Sequence, residues 1–139
     1  MAKPRILCVD DRSENLLIRK MMLELFGCEV IAVSDVTTAL AVLAQDHIDL
    51  ALIDYHLEEE VDGEQLARAI RESNPKIGLI MLTGDPKIPE SARESVDVLL
   101  IKGASNPRDL LDAIQELLPE ATLRTRRPKN ARSAPPKAS

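Results

Sequence analysis

Aromatic residues are nearly absent: the 139 residues include one Phe, one Tyr and no Trp. Any core must therefore be aliphatic, built from Leu, Ile, Val, Ala and Met. No apolar run approaches the length needed to cross a membrane. The opening MAKPRILCVDD lacks a signal peptide's long apolar segment and small-residue cleavage site, so the chain is expected to stay in the cytoplasm. Only two cysteines occur, Cys8 and Cys28, without CxxC spacing. Both sit in apolar stretches and read as buried, reduced thiols. There is no internal repeat.

What remains is an ordinary globular balance, 45% hydrophobic and 29% charged. The length fits one domain that can bury a core without staples. The net charge of −5 is uneven. Residues 120–139 hold six basic residues and one acid, whereas residues 1–119 hold 12 basic and 22 acidic residues. This divides the chain into an acidic ordered domain, 1–119, and a basic tail, 120–139. The tail is almost without bulky apolar groups and is expected to be disordered. It has no aromatics, no helical period and no recognition motif, so no specific nucleic-acid or membrane contact is expected.

Short apolar runs recur at Arg5–Val9, Val30–Val33, Leu50–Ile53, Gly78–Leu82 and Val98–Ile101, with helix-period segments between them. Nearly continuous apolar strands alternating with helices predict a parallel sheet covered on both faces, a (βα)5 fold with right-handed crossovers. In the first helix Ser13 is the expected N-cap, Leu17, Met21 and Leu25 form the apolar row, and Gly27 ends it. Asp35 can cap a second helix carrying Val36, Leu40 and Leu43. A third runs from Gly63 to Ser73 with Leu66 and Ile70 inward. Asn106 and Pro107 open the last, whose stripe is Leu110, Leu111, Ile114, Leu117 and Leu118. Asp85–Ser95, with Pro86 and Pro89, has room for one or two helical turns.

Ligands of open α/β sheets sit beyond the carboxyl ends of the strands. Those ends carry Asp10 and Asp11, Asp54, Thr83 with Gly84, and Lys102. Three carboxylates together repel, and a divalent cation removes the conflict. Oxygen ligands with open positions suit Mg²⁺, which also grips a phosphoryl oxygen. Lys102 and Thr83 would face the other phosphoryl oxygens, and Asp54 can act as a nucleophile that forms an acyl phosphate.

At ILCVDD, LALIDYHL followed by DG, IMLTG and LLIK, the sequence resembles the receiver domain of two-component response regulators over residues 4–118. The resemblance implies a doubly wound, flavodoxin-like sheet of strand order 2-1-3-4-5. It also implies a phosphoacceptor signalling domain, not an enzyme acting on an external substrate. A histidine kinase or histidine phosphotransfer protein would supply the phosphoryl group to Asp54, and output would pass through protein contacts. Asp11 would ligate Mg²⁺ directly, Asp10 mainly through water, and the main-chain carbonyl of His56 would complete the protein ligands. Thr83 would be the switch hydroxyl and Lys102 the phosphoryl-pairing lysine. His56 and Asp85 would flank the path of an attacking water and could pair with each other.

Four features depart from the family pattern. Leu99 replaces the usual aromatic, and Gly103 stands where proline follows the lysine. The Thr83–Lys102 stretch is short, which shrinks the fourth helix. The loop after Asp54 is longer and carries Glu58, Glu59 and Glu60. These departures keep open a non-phosphorylated pseudo-receiver that acts as an interaction module. An aspartyl phosphatase is a poorer fit, because Asp10-Asp11-Arg12 is not a DxD pattern and no cap insertion is present.

Overall fold

The computed structural model describes residues 3–57, 61–103 and 106–123. Strands β1 (Arg5–Val9), β2 (Glu29–Val33), β3 (Leu50–Asp54), β4 (Gly78–Thr83) and β5 (Val98–Ile101) alternate with five helices. These are α1 (Ser13–Leu25), α2 (Val36–Gln45), α3 (Gly63–Ser73), α4 (Glu90–Glu94) and α5 (Pro107–Leu117). The strands form one parallel sheet, as the alternating pattern predicts, in the order β2-β1-β3-β4-β5 that the family resemblance implies. Alternate side chains leave opposite faces of a strand, so each central strand feeds two cores. Leu7, Val9, Ala51, Ile53, Leu79 and Met81 pack with α2, α3 and α4 residues such as Ala39, Leu66, Ile70 and Ala92. Ile6, Cys8, Leu50, Leu52, Ile80 and Leu82 pack with Leu16 and Leu23 of α1 and with Leu110, Leu111 and Ile114 of α5. Cys8 and Cys28 are both buried and free. Burial pushes their thiols up to about 12 and about 11 respectively, which leaves them protonated and inert.

Helix ends follow the local chemistry. Asp35 caps α2 by accepting the Thr38 N–H at 2.7 Å. Capping boxes open α3 (Asp62 with Gln65) and α5 (Asn106 with Asp109). Ser13 does not cap α1, because Arg12 holds that position without a side-chain bond. The Arg12 N–H itself donates to Asp10 Oδ1 at 3.0 Å, so the upstream carboxylate satisfies the N-cap residue's own N–H and not the first-turn N–H that a serine cap would take. Gly27, at φ 92°, closes the helix as expected.

The predicted apolar row of α1 is its outer face. Leu17, Met21 and Leu25 are 59%, 57% and 73% exposed, and Ile18 is 67% exposed. Leu16 and Leu23 are the buried pair. Leu40 of α2 also points outward, at 39%. α4 is a single short helix, tied to α3 by Arg68 Nη2 donating to the Ser91 carbonyl at 3.0 Å and Ser91 Oγ donating to Glu64 at 3.1 Å. After α5, Gln115 Nε2 donates to the carbonyls of Leu118 and Ala121 at 3.2 and 3.1 Å. Ala121 is buried and Leu123 packs on the α1/α5 core. The acidic run Glu58–Glu60 and the rest of the expected tail, 124–139, lie outside the described residues.

Candidate functional site

The sheet's hydrogen bonds continue just past its strands and fix the residues at its carboxyl edge. Asp10 N–H donates to the Val33 carbonyl at 3.3 Å, Tyr55 N–H to Leu82 at 2.8 Å, and Lys102 N–H to Thr83 at 2.7 Å. Asp10, Asp54 and Thr83 are all buried, a rare condition for the two acids. α3 holds the end of β3 from the side. Gly63 N–H donates to the Tyr55 carbonyl at 2.7 Å, and a Cβ on Gly63 would come within 2.7 Å of the Asp54 carbonyl oxygen. Only glycine permits that approach.

Carboxylate oxygens of Asp10, Asp11 and Asp54 lie within 4.8 Å of one another. Lys102 Nζ stands 3.0 Å from Asp54 Oδ2 and 3.9 Å from Asp10 Oδ2. Asp54 Oδ1 is buried and has no hydrogen-bond partner among the described residues. A buried carboxylate oxygen is costly without a partner. With two further acids beside it, this oxygen fits a hard divalent cation of the Mg²⁺ type. Burial pushes the Asp54 carboxyl above its ordinary range; the Lys102 bond opposes this and the Asp10 charge reinforces it. Burial also pushes Asp10 upward, but the Arg12 N–H bond, Lys102 and Arg19 together outweigh it and leave Asp10 below the ordinary range.

Thr83 Oγ1 accepts the Asp85 N–H at 3.0 Å and donates to the Asp85 carbonyl at 3.3 Å, so its hydroxyl is engaged with its own loop. The expected pairing of His56 with Asp85 does not form among the described residues. Asp85 Oδ1 accepts the Lys87 N–H at 2.9 Å, and the exposed His56 meets Tyr55 edge-on at 4.9 Å. The tight loop gives the Asp85 carboxylate a nearer donor than the imidazole. Leu99 is half-buried and packs, with Tyr55, on the α2–α4 core. Gly103 adopts φ +83°, a conformation that suits glycine.

One participant escaped the sequence reading. Arg19 of α1 places Nη1 3.3 Å from Asp10 Oδ2. Its position at i+3 from Leu16 marks it as inward-facing only once the buried face of the helix is known.

Residues 6–115 match the family described as the response regulator receiver domain. The chain belongs to that family. A CheY-like receiver domain protein from Methanospirillum hungatei JF-1 is 32% identical with a TM-score of 0.77, over 85% of this chain and 95% of that chain. A response regulator, TrrA of Thermotoga maritima, solved in complex with Mg²⁺–BeF, is 23% identical with a TM-score of 0.76, over 82% of this chain and 98% of that one. Among curated proteins, sensor protein GacS of Pseudomonas syringae pv. syringae is 43% identical over 68 residues, 49% of this chain and 7% of that protein. Sensor protein EvgS of Escherichia coli (strain K12) is 33% identical over 88 residues, 63% of this chain and 7% of that protein. The chain thus spans less than a tenth of these sensor proteins. It is a receiver domain of two-component signalling, a class that binds Mg²⁺ at an acidic pocket and works with histidine kinases or phosphotransfer proteins. No helix among the described residues is long and apolar enough to cross a membrane.

Proposed function

We propose that Asp54 accepts a phosphoryl group from the phosphohistidine of a histidine kinase or a phosphotransfer protein, and that residues 1–119 form the unit that does so. A carboxylate oxygen of Asp54 attacks phosphorus, the P–N bond breaks, and the leaving imidazole takes up a proton. The product is an acyl phosphate. The carrying observation is Asp54 itself: buried, with Lys102 on Oδ2 and no partner for Oδ1 among the described residues.

Asp11, Asp54 and the His56 carbonyl would hold Mg²⁺ directly and Asp10 mainly through water; TrrA, a relative by fold, is described with Mg²⁺–BeF. When bound, the ion supplies positive charge to the transferring phosphoryl oxygens. Lys102 supplies a second positive charge, and Thr83 a hydroxyl once it leaves Asp85. This chemistry acts on the chain's own carboxylate, so the domain is a signalling element and not an enzyme with external turnover. Output passes through protein contacts.

Intact-protein mass after incubation with acetyl phosphate and Mg²⁺ tests the reading. Wild type gains one phosphoryl group and Asp54→Ala gains none. Equal uptake by both proteins removes Asp54 from the role. No uptake by wild type, with either acetyl phosphate or a phosphorylated phosphotransfer protein, favours the non-phosphorylated interaction module.

A further inference from the structure

α1 turns one cation toward the acidic site. Arg19 follows Leu16 by three residues and precedes Leu23 by four, so it shares the face of the helix's buried pair. Its side chain is 13% exposed, and Nη1 lies 3.3 Å from Asp10 Oδ2. Asp10 itself is fully buried. Its Oδ1 accepts the Arg12 N–H at 3.0 Å, and its Oδ2 faces Arg19 at 3.3 Å and Lys102 at 3.9 Å. Both oxygens of Asp10 are therefore engaged from the protein side. Asp11, in contrast, is exposed, and Asp54 Oδ1 has no partner among the described residues.

We propose that Arg19 is a positioning residue that holds Asp10 and offsets its charge, setting the Mg²⁺ affinity of this receiver below what its three carboxylates alone would give. The inference rests on the Mg²⁺ reading above and adds a determinant to it. Three ionised carboxylates carry three negative charges; Lys102 and Arg19 return two of them. A site that leaves Mg²⁺ most of its water draws much of its affinity from net charge. One unit charge acting on a divalent ion across roughly 6–8 Å of water-like medium changes affinity by about tenfold. Lys102 is committed to Asp54 at 3.0 Å, so Arg19 is, among the described residues, the closest cation on the Asp10 side of the cluster. An Asp10 held by Arg19 is also less free to turn toward a hydrated ion.

The test is calorimetric titration of the metal-stripped full chain with MgCl2, repeated by following the Asp11 and Tyr55 amide resonances. Wild type, Arg19→Met and Arg19→Lys are compared, with circular dichroism to establish folding. Arg19→Met is expected to bind Mg²⁺ about tenfold more tightly, and the gain should shrink as salt screens it. Arg19→Lys, which keeps the charge, should stay within about threefold of wild type. A purely structural arginine would lower thermal stability in both variants without tightening the metal. Unchanged or weaker binding by folded Arg19→Met, beside a wild type that binds, overturns the inference and leaves the Mg²⁺ reading standing. Wild type that binds no Mg²⁺ overturns both. If Arg19→Met fails to fold, Arg19→Gln takes its place; failure of both neutral variants to fold assigns the arginine to structure and overturns the inference.

Discussion

Gly63 sits so close to Asp54 that a methyl group at its Cα would stand 2.7 Å from the Asp54 carbonyl oxygen and 2.8 Å from Tyr55 Cα. The first turn of α3 thus acts as a wall behind Asp54. Both neighbours are backbone, which cannot rotate away as a side chain can. Gly63→Ala is expected to cost about 1–3 kcal/mol by overpacking and to displace Asp54 relative to Lys102. Denaturant unfolding measures the first effect and phosphoryl uptake the second. A variant that matches wild type in both measurements contradicts the close packing.

Asp54 carries a liability that the native state tolerates. Burial and the Asp10 charge lift its carboxyl above the ordinary range despite Lys102. The native state therefore binds this proton more strongly than the unfolded chain does. The stabilising contribution is present at acid pH, below the unfolded value of about 3.9, and is lost as pH rises through the folded value. Asp54→Asn removes the charge and should raise the melting temperature at pH 7 in metal-free buffer. The advantage should fade on acidification. Equal melting temperatures at pH 7, or an advantage that grows toward acid, would contradict the raised value.

Lys102 bridges the two buried carboxylates, at 3.0 Å from Asp54 and 3.9 Å from Asp10. It is partly exposed, so its removal should leave the fold intact. Loss of a charge aimed at the transferring group commonly costs roughly 10²-fold or more in rate. Lys102→Ala should slow phosphoryl uptake by that order at unchanged donor and Mg²⁺. Lys102→Arg should not restore it, because a guanidinium fork is a poor replacement for a point charge at this position. Wild-type rates in Lys102→Ala would reduce Lys102 to a structural ion pair.

The carboxyl-edge residues were legible because a parallel sheet leaves them little choice. Once Arg5–Val9, Leu50–Asp54 and Gly78–Thr83 are central strands, the residues at their carboxyl ends must share one edge. Caps with a side-chain signature were also legible, as at Asp35 and Asn106. Helix phase was not. α1 presents apolar residues at 16, 17, 18, 21, 22, 23 and 25, so spacing alone fits more than one inward face. The tie from Asp10 to the Arg12 N–H and to Arg19 is consistent with only one of them. That tie joins the end of a strand to a helix two turns away, and no local pattern announces it. The His56–Asp85 pairing failed for the opposite reason: a short-range backbone donor at Lys87 was nearer than the imagined long-range one.

The phase of α1 can be tested by paired substitutions. Leu16 and Leu23 are buried against β1, β2 and α5 residues, whereas Leu17 and Met21 are more than half exposed. Leu23→Ala should cost about 2–5 kcal/mol, because it opens a cavity in a packed core. Leu17→Gln and Met21→Gln should change stability by no more than about 0.5 kcal/mol, as surface substitutions do. Urea unfolding at fixed pH measures all three. An inward row of Leu17, Met21 and Leu25, which the spacing suggests, demands the reverse order, with Leu17 and Met21 costly and Leu23 mild. A large loss at Met21 with little at Leu23 would therefore rotate the helix by about a third of a turn. It would also carry Arg19 away from Asp10, since residues three and four apart share a face. The same three variants thus check the geometry on which the assigned role of Arg19 depends, without using metal or phosphoryl donor.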